Sequence, residues 1–218
     1  MNTVAPHPWD VSTAEAKRIQ RTLRDRVSFE SSLGEVRTVA GVDVGMRGDV
    51  ARAAIVVLAY PSMEPVERSL AEVTATMPYV PGLLSFREAP AILAACEKLD
   101  VEPDLFVFDG QGVAHPRRFG IASHVGVILD KPSIGCAKSR LCGTHEEPSP
   151  EAGSYTHLCH NEEIVGAVLR TRDNVSPVFV SVGHRLDLEM AIEFVIGCCK
   201  GYRLPETTRH AHRAASEE

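Results

Sequence analysis

The sequence has no apolar run fit to cross a bilayer. The longest, Ala53 to Tyr60, is far short of the roughly 20 residues that a spanning helix needs. Met1 to Asp10 is polar and punctuated by proline, without the apolar stretch of a secretory leader. Positive charge is not in excess either. The 23 Lys and Arg residues face 29 Asp and Glu, a net charge of −6. A uniform basic coat for loose polyanion binding is therefore excluded, and such a partner would have to be held by a local cation cluster or through metal. The cysteines (Cys96, Cys136, Cys142, Cys159, Cys198 and Cys199) are scattered and include no Cys-x-x-Cys pair. That pattern points to reduced thiols in a cytoplasmic protein with no membrane contact, and away from a disulfide framework.

What is present suits one α/β domain spanning 1–218, with 1–11 as a loose leader. Hydrophobic residues at 44% and charged residues at 24% are ordinary for a globular chain. Ser12-Thr-Ala-Glu15 has the form of a capping box and starts a helix to about Arg26. A turn-rich segment, Ser31 to Glu35, leads into a buried strand over Thr38 to Gly45. Ala51 to Tyr60 and Val66 to Met77 follow as strands joined by short turns, which predicts an antiparallel meander. Leu83 to Leu99 has helical spacing, Asp104 to Asp109 reads as a short buried strand, Phe119 to Leu129 as a helix and Ser133 to Cys136 as a strand. Residues 142–161 read as a long loop. Glu163 to Arg170 and Val178 to Val182 read as strands, Leu186 to Cys199 as an amphipathic helix, and the end as a polar, His-bearing tail. This order predicts a central mixed β-sheet flanked by helices.

Thr38-Val-Ala-Gly-Val-Asp-Val-Gly45 carries the first chemical signal. A lone carboxylate, Asp43, in a strand of valines and glycines is costly to bury without a partner, and a metal ion is an economical one. Asp109 ends a second buried strand. If the two strands are neighbours, both carboxylates open on one edge, a hard oxygen pair suited to Mg²⁺. Glu88, early in the helix after the Pro78-Tyr79-Val80-Pro81-Gly82 loop, could be a third. A helix cap or a salt bridge is the alternative for each.

Asp109-Gly-Gln-Gly-Val-Ala-His115-Pro-Arg-Arg118 is the densest loop. Its glycines let the backbone approach a ligand, His115 can exchange a proton, and Arg117 and Arg118 can grip phosphate. A solvated loop would account for the arginines but less readily for the whole string. Tyr79, pinned between prolines, could stack on a base or pack on the core edge. Lys138 and Arg140 could neutralise a phosphate or simply face solvent. Gly183-His-Arg185 and Arg209-His-Ala-His212 are further candidates. Cys142-x-x-His145 with His157, Cys159 and His160 has residue types that suit zinc but not the spacing of a structural site. Gly41 to Gly45 is also similar to the phosphate strand of sugar kinases and actin, yet no later glycine-rich nucleotide loop accompanies it.

Several long, ordered motifs between about Val39 and His212 carry a more specific likeness. They are Ala-Gly-Val-Asp-Val-Gly, Met-Pro-Tyr-Val-Pro-Gly-Leu-Leu-Ser-Phe-Arg-Glu and Asp-Gly-Gln-Gly-Val-Ala-His-Pro-Arg-Arg. Ala-Lys-Ser-Arg-Leu-Cys-Gly, Gly-His-Arg and Lys-Gly-Tyr-Arg-Leu-Pro-Glu-Thr-Thr-Arg add to them. The chain resembles the endonuclease V family, inosine-directed nucleases with a ribonuclease H-like fold.

The resemblance implies that Asp43, Glu88 and Asp109 surround Mg²⁺, with Mn²⁺ able to substitute, and that His212 falls at a fourth Asp-or-His position. It implies that Tyr79, held by Pro78 and Pro81, is a wedge, and that Gly82, Leu84, Gly110 and Ile121 line a hypoxanthine pocket. Lys138 and His115 would lie beside the scissile phosphate. The implied reaction is hydrolysis of the second phosphodiester bond 3′ to deoxyinosine in DNA, initiating repair, by a monomer. An inosine-specific endoribonuclease, a branched-DNA resolvase of the same fold and an inosine-binding module are the alternatives. Gln111 stands where many members have His, and His212 where others have Asp.

Overall fold

The structure is a computed structural model; it describes residues 1, 3–31 and 33–217. Ser32 in the turn-rich segment before the first strand, Asn2 in the leader and Glu218 at the end of the tail lie outside the described residues.

Among the described residues, eight strands form one sheet: β1 (Thr38–Arg47), β2 (Val50–Ala59), β3 (Pro65–Thr74), β4 (Leu105–Phe108), β5 (Ser133–Ala137), β6 (Tyr155–His160), β7 (Glu163–Leu169) and β8 (Val178–His184). Their spatial order is β3-β2-β1-β4-β5-β8-β7-β6. The first three make the expected antiparallel meander, β1, β4 and β5 run parallel, and β8, β7 and β6 continue antiparallel. The helices are α1 (Thr13–Leu23), α2 (Leu84–Cys96), α3 (Ile121–Leu129), α4 (Leu188–Gly197) and α5 (Glu206–Ser216). None of them is long and apolar enough to cross a membrane.

Side-chain alternation along the strands divides the core. Ala40, Val42, Phe106 and Phe108 pack with Ala89, Ile92, Ile121 and Val125 of α2 and α3. Val39, Val107, Ile134 and Val180 pack with Ala191 and Val195 of α4 and with Ala214 and Ala215 of α5. With both faces covered, β4 and β5 are buried at every residue, which is why they read as continuous apolar runs.

Three expectations are corrected. The polar tail is a helix, α5, whose inner face is built from Thr207, Thr208, Ala211, Ala214 and Ala215. Those small side chains carry little hydrophobic signal, yet they let the helix lie close to the sheet. The 142–161 loop contains β6, an edge strand that buries only Leu158. The leader is not loose. The Val4 amide donates to the Ile128 carbonyl at 2.8 Å, Ala5 is buried, and His7 Nε2 lies 2.7 Å from Nε2 of the buried His124. Trp9 packs against the same ring, with centroids 5.1 Å apart. A histidine and a tryptophan among prolines supply the anchoring that polarity alone concealed.

Close approach of α5 explains the glycines around Asp43. Residues 41, 43 and 45 share one face of β1. A Cβ at Gly41 would sit 1.9 Å from the Thr207 carbonyl oxygen, and one at Gly45 3.0 Å from that of Ala215. The helix backbone therefore lies flat across both glycines, with Asp43 between them. Gly41→Ala is expected to cost about 1–3 kcal/mol by overpacking, a fall in melting temperature of roughly 2–10 °C for a chain of this size. An unchanged thermal melt would contradict this seat for α5.

Candidate active site

The pairing of β1 with β4 brings the two aspartates together. Val42 is registered with Phe108, so Asp43 and Asp109 follow as the next pair, and the Asp109 amide donates to the Val42 carbonyl at 2.9 Å. Both aspartates fall on the face that α5 covers. From α5, His212 reaches down so that its Nδ1 lies 2.8 Å from Asp43 Oδ2, while its side chain stays 58% exposed. One ligand atom each from Asp43, Asp109 and His212 lie within 4.8 Å of one another. Lys138, just past the end of β5, places Nζ 2.5 Å from Asp109 Oδ2.

Glu88 stands apart from that set. It belongs to α2, on the opposite face of the sheet, yet its carboxyl is near enough to respond to the aspartates. Burial, reinforced by the charges of Asp43 and Asp109, pushes its pKa up to about 8. Burial also raises Asp109, with Lys138 opposing and Asp43 assisting. Two carboxylates and an imidazole, with a third carboxyl close by and one lysine for balance, form a donor set suited to a hard divalent cation that tolerates nitrogen. Among the described residues this is the sole group of three or more His, Cys, Asp or Glu so placed; Cys142, His145, His157, Cys159 and His160 form no such group.

A cavity of about 110 Å³ is lined by Gln20, Tyr79, Pro81, Gly82, Leu84, Ser85, Gln111, His115, Gly120, Ile121 and Leu141. It brings together most of the residues expected around a base. Gly110 does not line it but backs its wall, since a Cβ there would lie 2.6 Å from Ile121 Cγ2. Tyr79 is 70% exposed, and Leu84 and Leu141 are also exposed. Pro78 precedes Tyr79 in the same loop and lies outside the lining.

Gly82 sits in the turn of this loop. Its φ of +78° is left-handed, which favours glycine. Its carbonyl accepts from Gln20 Nε2 at 3.0 Å, from His115 Nε2 at 3.1 Å and from Arg117. Nδ1 of His115 accepts from the Arg117 amide at 3.1 Å, so the Nε2–H tautomer is the one that satisfies both contacts. Burial, with Arg117 beside it, holds this histidine down to about 4. His115 is thus a neutral brace for the Gly82 loop in this structure, with both ring nitrogens engaged.

The arginines also differ from the reading as phosphate grips. Arg117 turns inward to Gly82 and to Gln20 Oε1, and Arg118 binds Glu163, His160 and the His115 carbonyl. An enclosed loop with acceptors on all sides takes up guanidinium donors that sequence alone leaves free. Gly183-His-Arg185 is likewise structural: His184 and Arg185 both meet Asp130. Sequence reasoning missed Gln20, Ser85, Gln111, Gly120 and Leu141 as cavity residues. Gln20 carried one signal, a polar side chain on the inner face of the amphipathic α1.

A mixed sheet with an antiparallel β1–β2–β3 meander beside parallel β4 and β5, and an aspartate pair across β1 and β4, defines a protein of the ribonuclease H-like class. The model of the endonuclease V family matches residues 21–213. Endonuclease V of Roseiflexus sp. (strain RS-1) is 56% identical, covering 96% of this chain and 94% of the relative. The crystal structure of endonuclease V from Streptomyces avermitilis is 42% identical with a TM-score of 0.92, covering 99% of this chain and 96% of the other. That of Ciona intestinalis endonuclease V, in complex with a 23mer DNA containing an inosine followed by a ribo-adenosine, is 30% identical with a TM-score of 0.79, covering 94% and 97%. The chain belongs to the endonuclease V family.

Proposed function

We propose that this protein is a Mg²⁺-dependent, monomeric, cytoplasmic endonuclease of DNA repair. It recognises deoxyinosine in DNA and hydrolyses the second phosphodiester bond 3′ to it, with Mn²⁺ able to replace Mg²⁺. The observation that carries this reading is the pairing of Asp43 with Asp109 beside a small, mostly apolar cavity. One element of the molecule can hold a cation and the other an unstacked base. The Ciona relative bound to inosine-containing DNA supports the choice of lesion.

In this reading Asp43, Asp109 and His212 would hold the cation, with Glu88 as the further carboxyl close by. Bound there, the cation supplies a Lewis acid for the scissile phosphate and lowers the pKa of a water. Lys138 adds fixed positive charge where charge develops in the transition state. Gly82, Leu84, Gly110 and Ile121 shape the base site, and His115 positions the Gly82 loop. Flipping a base costs a few kcal/mol, least where pairing is poor, which favours hypoxanthine over a well-paired adenine.

Tyr79, exposed at the cavity mouth between Pro78 and Pro81, fills the gap left in the stack. Aromatic–base stacking is worth roughly 1–3 kcal/mol, so Tyr79→Ala is expected to raise the Michaelis constant on inosine substrate about 5- to 150-fold with a smaller change in kcat. A Michaelis constant equal to that of the unaltered protein would count against the wedge.

The functional test is cleavage of oligonucleotides carrying one inosine in DNA or in RNA, with Mg²⁺, with Mn²⁺ and with a chelator. The proposal expects metal-dependent cutting of the DNA substrate. Cutting of the RNA alone would move the protein to the endoribonuclease reading, and selective cutting of a four-way junction would move it to the resolvase reading.

A further inference from the structure

Three arginines converge where α5 ends, on the sheet face that carries Asp43. Register puts Arg52 opposite Gly45, and Arg68 opposite Val56, which is itself opposite Gly41. Arg47 lies four residues beyond Asp43 on β1, so alternation turns all three to the side that α5 covers. There they meet Glu217. Arg47 donates to its main-chain carbonyl at 3.3 Å, Arg52 donates to the same oxygen, and Arg68 donates to its carboxylate at 2.8 Å. Arg213 lines a groove of about 360 Å³ together with Arg68, His210 and Glu217. Besides Glu217, the carboxylates facing the cluster are Glu72, 3.8 Å from Arg52, and Glu67, which already accepts from the Asp100 and Val101 amides. In a chain of net charge −6 this is a local concentration of positive charge, and the catalytic site described above does not use it.

Converging guanidinium groups offer the forked donors that suit phosphate oxygens. Capping of the helix end accounts for Arg47 and Arg52 on a carbonyl. It does not account for Arg68, which holds a carboxylate. The position of the cluster suits a duplex laid across the metal site. At about 3.3 Å per residue, Arg47 stands roughly 13 Å along β1 from Asp43, close to four nucleotide steps of about 3.4 Å each. We propose that Arg47, Arg52 and Arg68 form a track for the phosphate backbone of the duplex flanking the cleaved bond, and that Glu217 occupies this track in the free protein and is displaced by DNA. This rests on the reading of the protein as a DNA endonuclease. The track reads no base, so the affinity it adds is independent of sequence and sensitive to salt. Glu217 competes for the same donors and weakens the hold on any duplex, which leaves contacts to the lesion a larger share of binding.

The test is the affinity of the protein, in chelator, for two labelled duplexes that differ only in deoxyinosine or deoxyadenosine at one position. Fluorescence anisotropy reads it from about 50 to about 200 mM KCl. Replacing both Arg47→Gln and Arg68→Gln is expected to weaken binding to the two duplexes by the same factor, about 3- to 30-fold at the lower salt. The slope of log affinity against log salt is expected to flatten by about two. Glu217→Gln is expected to tighten binding to both duplexes by about 2- to 5-fold. Should the double variant fail to fold, Arg68→Gln alone, which gives up one exposed contact, carries the test with a slope change of about one. A lower melting temperature with unchanged affinity and slope would show that the arginines only cap α5, and would overturn the track. A loss confined to the inosine duplex would overturn it as well. Binding of Glu217→Gln no tighter than that of the unaltered protein would overturn the occupancy by Glu217. If the unaltered protein leaves deoxyinosine DNA uncut with metal present, the functional reading itself fails. If it cuts that DNA and the salt slope survives the arginine variants, only the track falls.

Discussion

Replacing Asp43 or Asp109 by Asn is expected to lower cleavage of inosine-containing DNA by about 10²–10³-fold or more, the scale of losing one preorganised electrostatic element of an active site. The two side chains differ in setting, so the substitutions separate chemistry from fold. Asp43 meets His212 and its own neighbour's amide, Val44, at 2.9 Å. Asp109 is the more enclosed and meets Lys138. In both variants the carboxamide retains volume and hydrogen bonding, so the fold should persist. Single-turnover nicking, with circular dichroism as the control for folding, checks this. An Asn variant at either position that cuts at the unaltered rate would remove that residue from the site.

Glu88→Gln is expected to stabilise the metal-free protein while reducing activity. The carboxyl titrates near 4.5 in a free chain and at about 8 in the fold. Below pH 4.5 both states hold the proton and nothing is lost. Between 4.5 and 8 the unfolded chain ionises while the folded one stays protonated, so stability falls as pH rises; above 8 the full cost is present. At about 1.36 kcal/mol per pKa unit, the shift corresponds to a cost on the order of 5 kcal/mol. Glutamine supplies a neutral group of the same shape and removes that slope. The melting temperature of Glu88→Gln in chelator should therefore exceed that of the unaltered protein by a margin that is small near pH 4.5 and widens to pH 8. A margin independent of pH would show that Glu88 is not the group held protonated. Such a residue, kept at a cost to the fold, is what a site selected for function contains.

Much of the site is legible in the sequence because its parts lie on regular elements. Asp43 between Gly41 and Gly45 announces a carboxylate on a strand approached closely by something else. Asp109 at the end of a four-residue buried strand announces its partner. The sequence does not announce what lies over those glycines, because the inner face of α5 is alanine and threonine, and a hydrophobic period cannot be read from them. His212 consequently reads as part of a tail although it hydrogen-bonds Asp43. The edge strand β6 escaped notice for a related reason, with only Leu158 turned inward. Arg117, Arg118 and His115 look like solvent-facing chemistry in the chain. They become internal braces once the Gly82 carbonyl, Glu163 and His160 are brought to them across long sequence separations. Tertiary acceptors of that kind leave no local trace.

The central claim is that the aspartate pair and the adjoining cavity together make a lesion-directed nuclease. The most direct measurement is the cleavage pattern of an end-labelled duplex carrying one deoxyinosine, beside the same duplex with deoxyadenosine, both with Mg²⁺. The account predicts a single nick at the second phosphodiester bond 3′ to the inosine and an intact control. Equal cutting of the two duplexes, or an uncut inosine strand, would contradict it.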